Sequence, residues 1–152
     1  MGYGEASDAY HLTSPDPDGK GAQLAVRGAL ADAGLSPSDV ALVNAHATGT
    51  PQGDAVEARL IDRLFGSHTA VTAAKGVTGH MLGAAGAVEA AFTALSIDDG
   101  VIPPTANFAE RSADVPGIDI VHGAARHAPV PFAVSNSFGF GGHNAVAVLG
   151  RA

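Results

Sequence analysis

The chain has 152 residues, the usual size of one domain, so we expect residues 1–152 to form a single domain. Its formal net charge is -7 at pH 7, which argues against nucleic acid or an acidic membrane surface as a partner, because both attract basic proteins. There is no cysteine, which excludes disulfides and a cysteine nucleophile in this chain. No apolar run reaches membrane-spanning length and no signal-peptide pattern is present, so a cytoplasmic location is expected.

Apolar periodicity predicts the elements of the first half of the chain. Small and aliphatic residues at helical spacing predict a helix over 20–33, and a short apolar run over 40–43 is typical of a buried strand. Residues 54–65 have the pattern of an amphipathic helix, with Asp54 in its first turn, where the helix dipole favours a carboxylate. Residues 70–73 predict the next strand.

The second half of the chain is predicted to begin with a long, very apolar helix over residues 80–97. Glu89 is the only charged residue of this helix, and a helix that is apolar all round is normally buried on every side. Three further strands are predicted, over 118–121, 132–135 and 145–149, with a glycine-rich loop over 136–143. The order of the elements predicts an α/β fold in which helices cover a mixed sheet.

Three short stretches hold most of the unusual polar residues, and each follows a predicted strand. They are NAHATGT at 44–50, KGVTGH at 75–80 and NSFGFGGHN at 136–144. Ligand-binding and catalytic groups of open α/β sheets favour the carboxyl ends of the strands, which makes these stretches candidates for one site. The sequence has no acidic cluster and no pair of histidines on one helix face, so no pattern in it indicates a metal site.

Each polar residue, taken singly, also has an ordinary structural interpretation. His46 alone is more often a hydrogen-bonded structural histidine, and Lys75 alone is more often a solvated surface charge. Lys75, however, lies between an apolar strand and the apolar helix, which favours a functional role. His80 is predicted at the start of that helix, where the positive end of the dipole favours a neutral imidazole; a capping role is the alternative.

The glycine-rich loop does not match the glycine patterns of nucleotide-binding loops, so nucleotide binding is not expected. Phe138 and Phe140 alternate with glycines in this stretch. The pattern indicates a tight loop that offers backbone N–H groups and an aromatic wall to a ligand.

Taken together, in this order and spacing, the motifs resemble those of the β-ketoacyl-acyl carrier protein synthases, the ketosynthases of fatty acid and polyketide assembly. The stretches that carry the resemblance are VNAHATGTPQGDAVEA, AAKGVTGHMLGAAGAVEAA, GVIPPTANF and SNSFGFGGHNAV, and it covers essentially the whole chain. The chain is similar to the C-terminal half of these enzymes, which implies half of a thiolase-like fold. The stretch SFGFGGHN is most similar to that of elongating type II synthases such as those of actinobacteria.

The resemblance implies that the polar stretches form a condensing site. His46 and His80 would hold the malonyl thioester carbonyl and favour decarboxylation, and Lys75 would be the cation that orients the site. The other implied positions are pantetheine-binding residues Thr48 and Thr50, the oxyanion and gating residue Phe140 with Phe138 beside it, and the supporting residues Glu57, Asp54 and Asn136. Glu57 is the expected partner of Lys75. At Gly76, where many relatives carry serine, we expect a small local effect.

The resemblance also implies that one catalytic group lies outside this chain. The acyl-accepting cysteine of the family lies in the N-terminal half, and without a thiolate the acyl-transfer step has no attacking group. Three hypotheses follow: a catalytic subunit completed by a cysteine-bearing N-terminal half or related subunit, a non-catalytic structural or regulatory subunit, or a truncated fragment. The chain would be an acyltransferase only in the first case.

The expected partners and cofactors follow from the same resemblance. No cofactor is expected beyond the phosphopantetheine of an acyl carrier protein, which would bring the substrates and is itself an expected partner. The apolar helix over 80–97 would present an interface, either to the other half or to a second copy in a homo-oligomer.

Overall fold

The structure is a computed structural model that describes residues 1–113 and 115–151. Its strands are β1 (Gly2–Ser7), β2 (Leu42–Asn44), β3 (Ala70–Thr72), β4 (Val101–Ile102), β5 (Asp119–Ile120), β6 (Arg126–His127), β7 (Phe132–Gly139) and β8 (His143–Gly150). Its helices are α1 (Lys20–Ala33), α2 (Pro51–Phe65), α3 (Lys75–Thr78) and α4 (Ala85–Asp99). Short 3-10 turns span Pro37–Asp39, Leu82–Ala84 and Phe140–Gly142.

A six-stranded mixed sheet in the order β1-β8-β7-β2-β3-β5 forms the centre of the fold. The strand β2 runs parallel to both β3 and β7, while β8 is antiparallel to β7 and β1. Asn44 at the end of β2 is level with Thr72 on one side and Ser135 on the other. The three polar stretches therefore begin near the same edge of the sheet, and the prediction of a mixed α/β sheet is confirmed.

Helices cover both faces of this sheet. Successive residues of a strand point to opposite faces, so neighbours in β2 report on different layers. Val43 belongs to a buried cluster with side chains of α1 and α2, whereas Leu42 belongs to a second cluster with Ile97 of α4. The chain thus places α1 and α2 on one face and α4 on the other.

Two glycines bring α1 into direct backbone contact with β1. A Cβ atom on Gly4 would overlap the carbonyl oxygen of Ala25, and one on Gly2 would overlap that of Ala29. The alanines of α1 that face the sheet are fully buried. Small residues on both elements therefore let the helix lie closer to the strand than larger side chains would allow.

The predicted helix over 80–97 is wrong at its beginning. The helix α4 starts at Ala85, and His80 lies in the connection that precedes it. Gly79 has φ 68° and Leu82 has φ 52°, and neither conformation can continue a right-handed helix. A separate single turn, α3, carries Lys75 instead.

The predicted glycine-rich loop over 136–143 is mostly strand. The strand β7 continues to Gly139 and β8 begins at His143, so the two form a hairpin with residues 140–142 at its tip. Gly141 and Gly142 have φ 80° and φ 76°, which glycine adopts without cost. The glycine content of this stretch indicated a loop, but only Gly141 and Gly142 at the tip of the hairpin need the backbone freedom of glycine.

The helix α4 is not buried on every side, contrary to expectation. Its buried face carries the polar residues Glu89, Thr93 and Ser96, while Phe92 and Leu95 are 37% and 56% exposed. No helix within the described residues is both long enough and apolar enough to cross a membrane. The polar side of α4 thus faces the protein, and its apolar side faces outward.

We expect Gly4→Ala to lower the free energy of unfolding by about 1–3 kcal/mol, because the added methyl group pushes α1 away from β1. Gly28→Ala is the matched control: it lies in the interior of α1, and its Cβ would lie 3.7 Å from the Cα of Gly4, an ordinary contact. This control should raise stability by roughly 0.5–1 kcal/mol, since alanine is the better helix former. Urea denaturation measures both, and a Gly4→Ala variant as stable as the parent would contradict the proposed packing.

Candidate active site

The ends of β2, α3 and β7 bring His46, His80 and Phe138 together. The ring centroids of His46 and His80 are 5.6 Å apart and the rings are nearly perpendicular, at 83°. The ring of Phe138 lies 5.9 Å from that of His46. Each of the three polar stretches picked out in the sequence therefore contributes one ring to a common cluster.

The tautomer of His80 is set by the backbone that follows it. Nδ1 of His80 accepts a hydrogen bond from the backbone N–H of Leu82 at 3.1 Å. A nitrogen that accepts carries no proton, so the proton of the neutral ring is on Nε2. This hydrogen bond replaces the helix dipole that was expected to act on His80, because His80 is exposed and precedes α4.

His46 is held in its neutral form by its surroundings. Burial, together with the nearby Lys75 and His80, lowers the pKa of His46 from 6.5 to about 4. Nδ1 of His46 is buried and has no hydrogen-bond partner among the described residues. His46 can therefore act as a neutral hydrogen-bonding group near pH 7.

Glu57 fixes the backbone that carries His46. Its carboxylate accepts hydrogen bonds from the backbone N–H of His46 at 2.9 Å and of Ala47 at 2.8 Å, and from Nδ2 of Asn136 at 2.9 Å. Ala47 has φ 27°, a backbone conformation that residues other than glycine rarely adopt. Burial raises the pKa of Glu57, and these three hydrogen bonds oppose that shift.

The partner of Lys75 is Glu89, not Glu57 as expected. Nζ of Lys75 donates to Oε1 of Glu89 at 2.5 Å, and both side chains are buried. The expectation failed because the carboxylate of Glu57 already accepts hydrogen bonds from the backbone of His46 and Ala47 and from the side chain of Asn136. Glu89 was the residue that sequence reasoning missed, although a lone carboxylate in an apolar helix is itself a signal, since a buried charge needs a partner.

Asn44 is a second residue that sequence reasoning left without a role. Its Nδ2 donates to the backbone carbonyl of Glu89 and to Oγ1 of Thr93, each at 3.0 Å. Asn44 thereby joins the end of β2 to the polar face of α4. The signal in the sequence was its position at the end of a buried strand, directly before the histidine motif.

The remaining predicted residues lie on the rim of the cluster. Oγ1 of Thr48 and Oγ1 of Thr50 are 3.1 Å apart, and Oδ1 of Asp54 accepts the backbone N–H of Gly49. Burial raises the pKa of Asp54, while the backbone groups of Gly49 and Thr50 and the charge of Lys75 lower it. Asp54 thus holds the loop that bears both threonines.

The two threonines and the two histidines line one open cleft of about 1550 Å³. The members of the cleft that were predicted from the sequence are His46, Thr48, Thr50, Glu57, His80, Phe138 and Phe140. Phe140 lies at the hairpin tip and is 77% exposed. The cleft is thus lined by two imidazoles, two threonine hydroxyl groups and an exposed aromatic ring.

The comparison with known proteins gives the family. Residues 1–109 match the β-ketoacyl synthase C-terminal domain. Over 152 aligned residues the chain is 46% identical to a 3-oxoacyl-[acyl-carrier-protein] synthase 2 of Staphylococcus aureus, covering 98% of this chain and 38% of the relative. The chain therefore belongs to the β-ketoacyl synthase family, within which it corresponds to the C-terminal domain, and the resemblance seen in the sequence is confirmed.

Solved structures agree with this assignment. A ketosynthase in complex with its chain length factor from Xenorhabdus doucetiae matches with a TM-score of 0.91 and 38% identity, over 100% of this chain and 38% of that one. A complex of a type II polyketide synthase acyl carrier protein with its ketosynthase matches with a TM-score of 0.94 and 31% identity, over 99% of this chain and 38% of that one. The thiolase-like half expected from the sequence is thus confirmed as the fold.

We expect Glu57→Gln to destabilise the chain by about 2–3 kcal/mol, because an amide N–H₂ must then face a buried N–H donor. Asp62→Asn is the control, since Asp62 is an exposed carboxylate on the same helix. Urea denaturation measures the change, and equal stability of the two variants would show that the carboxylate of Glu57 does not hold the backbone at His46.

The lowered pKa of His46 predicts a pH-dependent loss of stability. As pH falls, the unfolded chain binds a proton at His46 near pH 6.5, whereas the folded chain binds it only near pH 4. The free energy of unfolding of the parent should therefore fall, relative to a His46→Asn variant, as pH is lowered through this window. Denaturation of both proteins across the window measures the difference, and a difference that does not change with pH would contradict the assignment.

Proposed function

We propose that the chain supplies the decarboxylation side of a Claisen condensation on acyl chains carried by an acyl carrier protein. The cysteine nucleophile comes from a separate N-terminal half. The observation that carries the proposal is the convergence in an open cleft of His46, which is held neutral, and His80, whose Nδ1 accepts a backbone hydrogen bond.

The two imidazoles stabilise the negative charge that forms during decarboxylation. When the bond from Cα to the carboxylate of the malonyl thioester breaks, carbon dioxide leaves and its bonding electrons pass into an enolate. The charge collects on the thioester oxygen, where Nε2–H of His80 donates and His46 supplies the second hydrogen bond. The enolate carbon then attacks the acyl thioester on the partner's cysteine and expels the thiolate, so no net proton transfer is needed.

Lys75 acts through His46 and not on the substrate. Its ammonium is buried against Glu89, so it does not reach the cleft as a proton donor. Burial lowers the pKa of His46 and the charge of Lys75 adds to that effect, so the ring stays neutral when the enolate forms. A protonated His46 would bind the malonyl carboxylate and hold it in place, which opposes decarboxylation.

The phosphopantetheine arm of the substrate is bound and gated by four residues, Thr48, Thr50, Phe138 and Phe140. The threonine hydroxyls lie on one rim of the cleft, where they can hydrogen-bond the phosphopantetheine that brings the malonyl group. The exposed ring of Phe140 serves as the gate and its backbone N–H as an oxyanion donor, with Phe138 packed beside His46.

The partners follow from the surface of α4 and from the relatives. Phe92 and Leu95 are exposed large apolar side chains on the outward face of α4, and such patches usually mark an interface. The matching solved structures include a ketosynthase with its chain length factor and one with its acyl carrier protein, which supports a second ketosynthase-type subunit and a carrier protein as partners. A homo-oligomer through α4 is the alternative, and a cytoplasmic location stays a prediction.

A non-catalytic ketosynthase-like subunit is the second candidate function. It would keep the fold and the α4 interface but would not need neutral histidines at the centre of the cleft. The hydrogen bond from Leu82 to His80 and the carboxylate that holds the backbone of His46 both serve ring orientation, which favours the catalytic proposal.

Co-expression with a cysteine-bearing N-terminal half tests the proposal by the release of labelled carbon dioxide from malonyl-acyl carrier protein. The complex should be active, and His46→Ala and His80→Ala should each lower kcat about 100-fold or more, the usual effect of removing one oxyanion donor. His68→Ala, at an exposed histidine outside the cleft, should leave kcat unchanged. No complex or no carbon dioxide release would contradict the proposal, and activity of the two site variants within a few-fold of the parent would contradict the assigned roles.

A further inference from the structure

The short helix α3 is held in place mainly by contacts from outside itself. It comprises a single turn, Lys75–Thr78, and no side chain caps its beginning. One isolated turn fixes several backbone angles for very few hydrogen bonds and is unstable alone. The position of Lys75 and of the chain that leads to His80 therefore depends on neighbouring segments.

The segment 103–107 supplies these contacts. Oγ1 of Thr72 donates to the backbone carbonyl of Pro103 at 2.6 Å, and Oγ1 of Thr105 accepts the backbone N–H of Ala73 at 3.2 Å. The backbone N–H of Thr105 donates in turn to the carbonyl of Val121 at 2.7 Å, which anchors the segment beyond β5. The segment thus runs alongside the residues that lead from β3 into α3.

Asn107 caps the end of α3. Its Nδ2 donates to the backbone carbonyl of Gly76 at 2.9 Å. In a continued helix that carbonyl would accept the N–H of His80, but Gly79, with φ 68° and ψ 176°, turns the chain away. The amide side chain of Asn107 takes the place of the missing helical donor.

The cap depends on close backbone approach at Gly76. A Cβ atom on Gly76 would overlap the carbonyl oxygen of Ala106, the residue before Asn107. The small effect expected at Gly76 from the sequence does not fit this geometry, because any side chain there would push the two segments apart. Asn107 itself has φ 61°, a left-handed conformation that asparagine tolerates better than most residues.

We propose that Asn107 is a positioning residue of the candidate site. By capping Gly76, it fixes the course of the chain between Lys75, which pairs with Glu89, and His80, which binds the thioester oxygen in the proposed reaction. This inference rests on the proposed function for its effect on catalysis, whereas the structural coupling itself can be measured without any activity.

Two variants separate the hydrogen bond from the backbone conformation. Asn107→Asp keeps the shape and tolerates the left-handed backbone but has no N–H to donate, and Asn107→Gly frees the backbone and also removes the donor. Glu110→Ala is the control, since Glu110 is an exposed side chain in the same connection. All three are made in the full 152-residue chain and purified with the cysteine-bearing half.

The first measurement is nuclear magnetic resonance of the backbone amides of residues 75–80 and of the His80 ring. Both Asn107 variants should shift these signals, while Glu110→Ala should not. The second measurement is decarboxylation, in which kcat should fall about 10-fold with little change in KM, because a displaced catalytic group loses rate more than binding. A denaturation midpoint close to that of the parent would show that global unfolding does not cause the loss.

The outcomes distinguish this inference from the proposed function. Signals of residues 75–80 that match the parent in either Asn107 variant would overturn the coupling, whatever the activity. Shifted signals with kcat within twofold of an active parent would overturn the positioning role. A parent complex without decarboxylation would overturn the proposed function and the catalytic role of Asn107. The coupling between Asn107 and residues 75–80 would then be decided by the resonances alone.

Discussion

The buried ion pair between Lys75 and Glu89 is the interaction on which the arrangement of the site depends. Taking two charges out of water costs several kcal/mol per ion, so the pair is tolerated only where each charge meets the other at close range. Here it joins the single turn α3 to the polar face of α4, and Asn44 joins that same face to the end of β2. Three elements that are distant in the chain, α3, α4 and the end of β2, are therefore held together at one point.

The same pair explains why α4 has its polarity reversed. A helix that must present Glu89, Thr93 and Ser96 to the sheet has few buried positions left for apolar side chains. Its apolar residues consequently lie on the outward side, where burial would require another protein surface. One face of α4 thus supplies the buried charge of the site, and the opposite face supplies the apolar surface for a partner. A partner that covers α4 therefore packs against the helix that carries Glu89, the counter-ion of Lys75.

Much of the fold could be predicted because its signals are local. The helices α1 and α2 have strong periodicity, and the three polar stretches follow strands, so their general placement came from the sequence alone. The prediction of where α4 begins was wrong because the left-handed backbone at Leu82 depends on its surroundings and not on residue preference. The predicted partner of Lys75 was wrong because packing decides between Glu57 and Glu89. Packing brings backbone N–H groups to Glu57 and the ammonium of Lys75 to Glu89.

The two histidines are prepared for their roles by different physical means, and this difference decides what each can do. His80 is exposed, and a hydrogen bond from the backbone of Leu82 sets its tautomer without removing it from solvent, so it can meet an incoming thioester. His46 is partly buried, and desolvation together with the charge of Lys75 lowers its pKa, so it stays neutral even beside a negatively charged malonyl group. One ring is therefore directed by geometry and the other by electrostatics, and both devices depend on the short stretch from Lys75 to Leu82. That stretch has little regular structure of its own, which is why its external supports, Glu89 on one side and Asn107 on the other, bear on the chemistry.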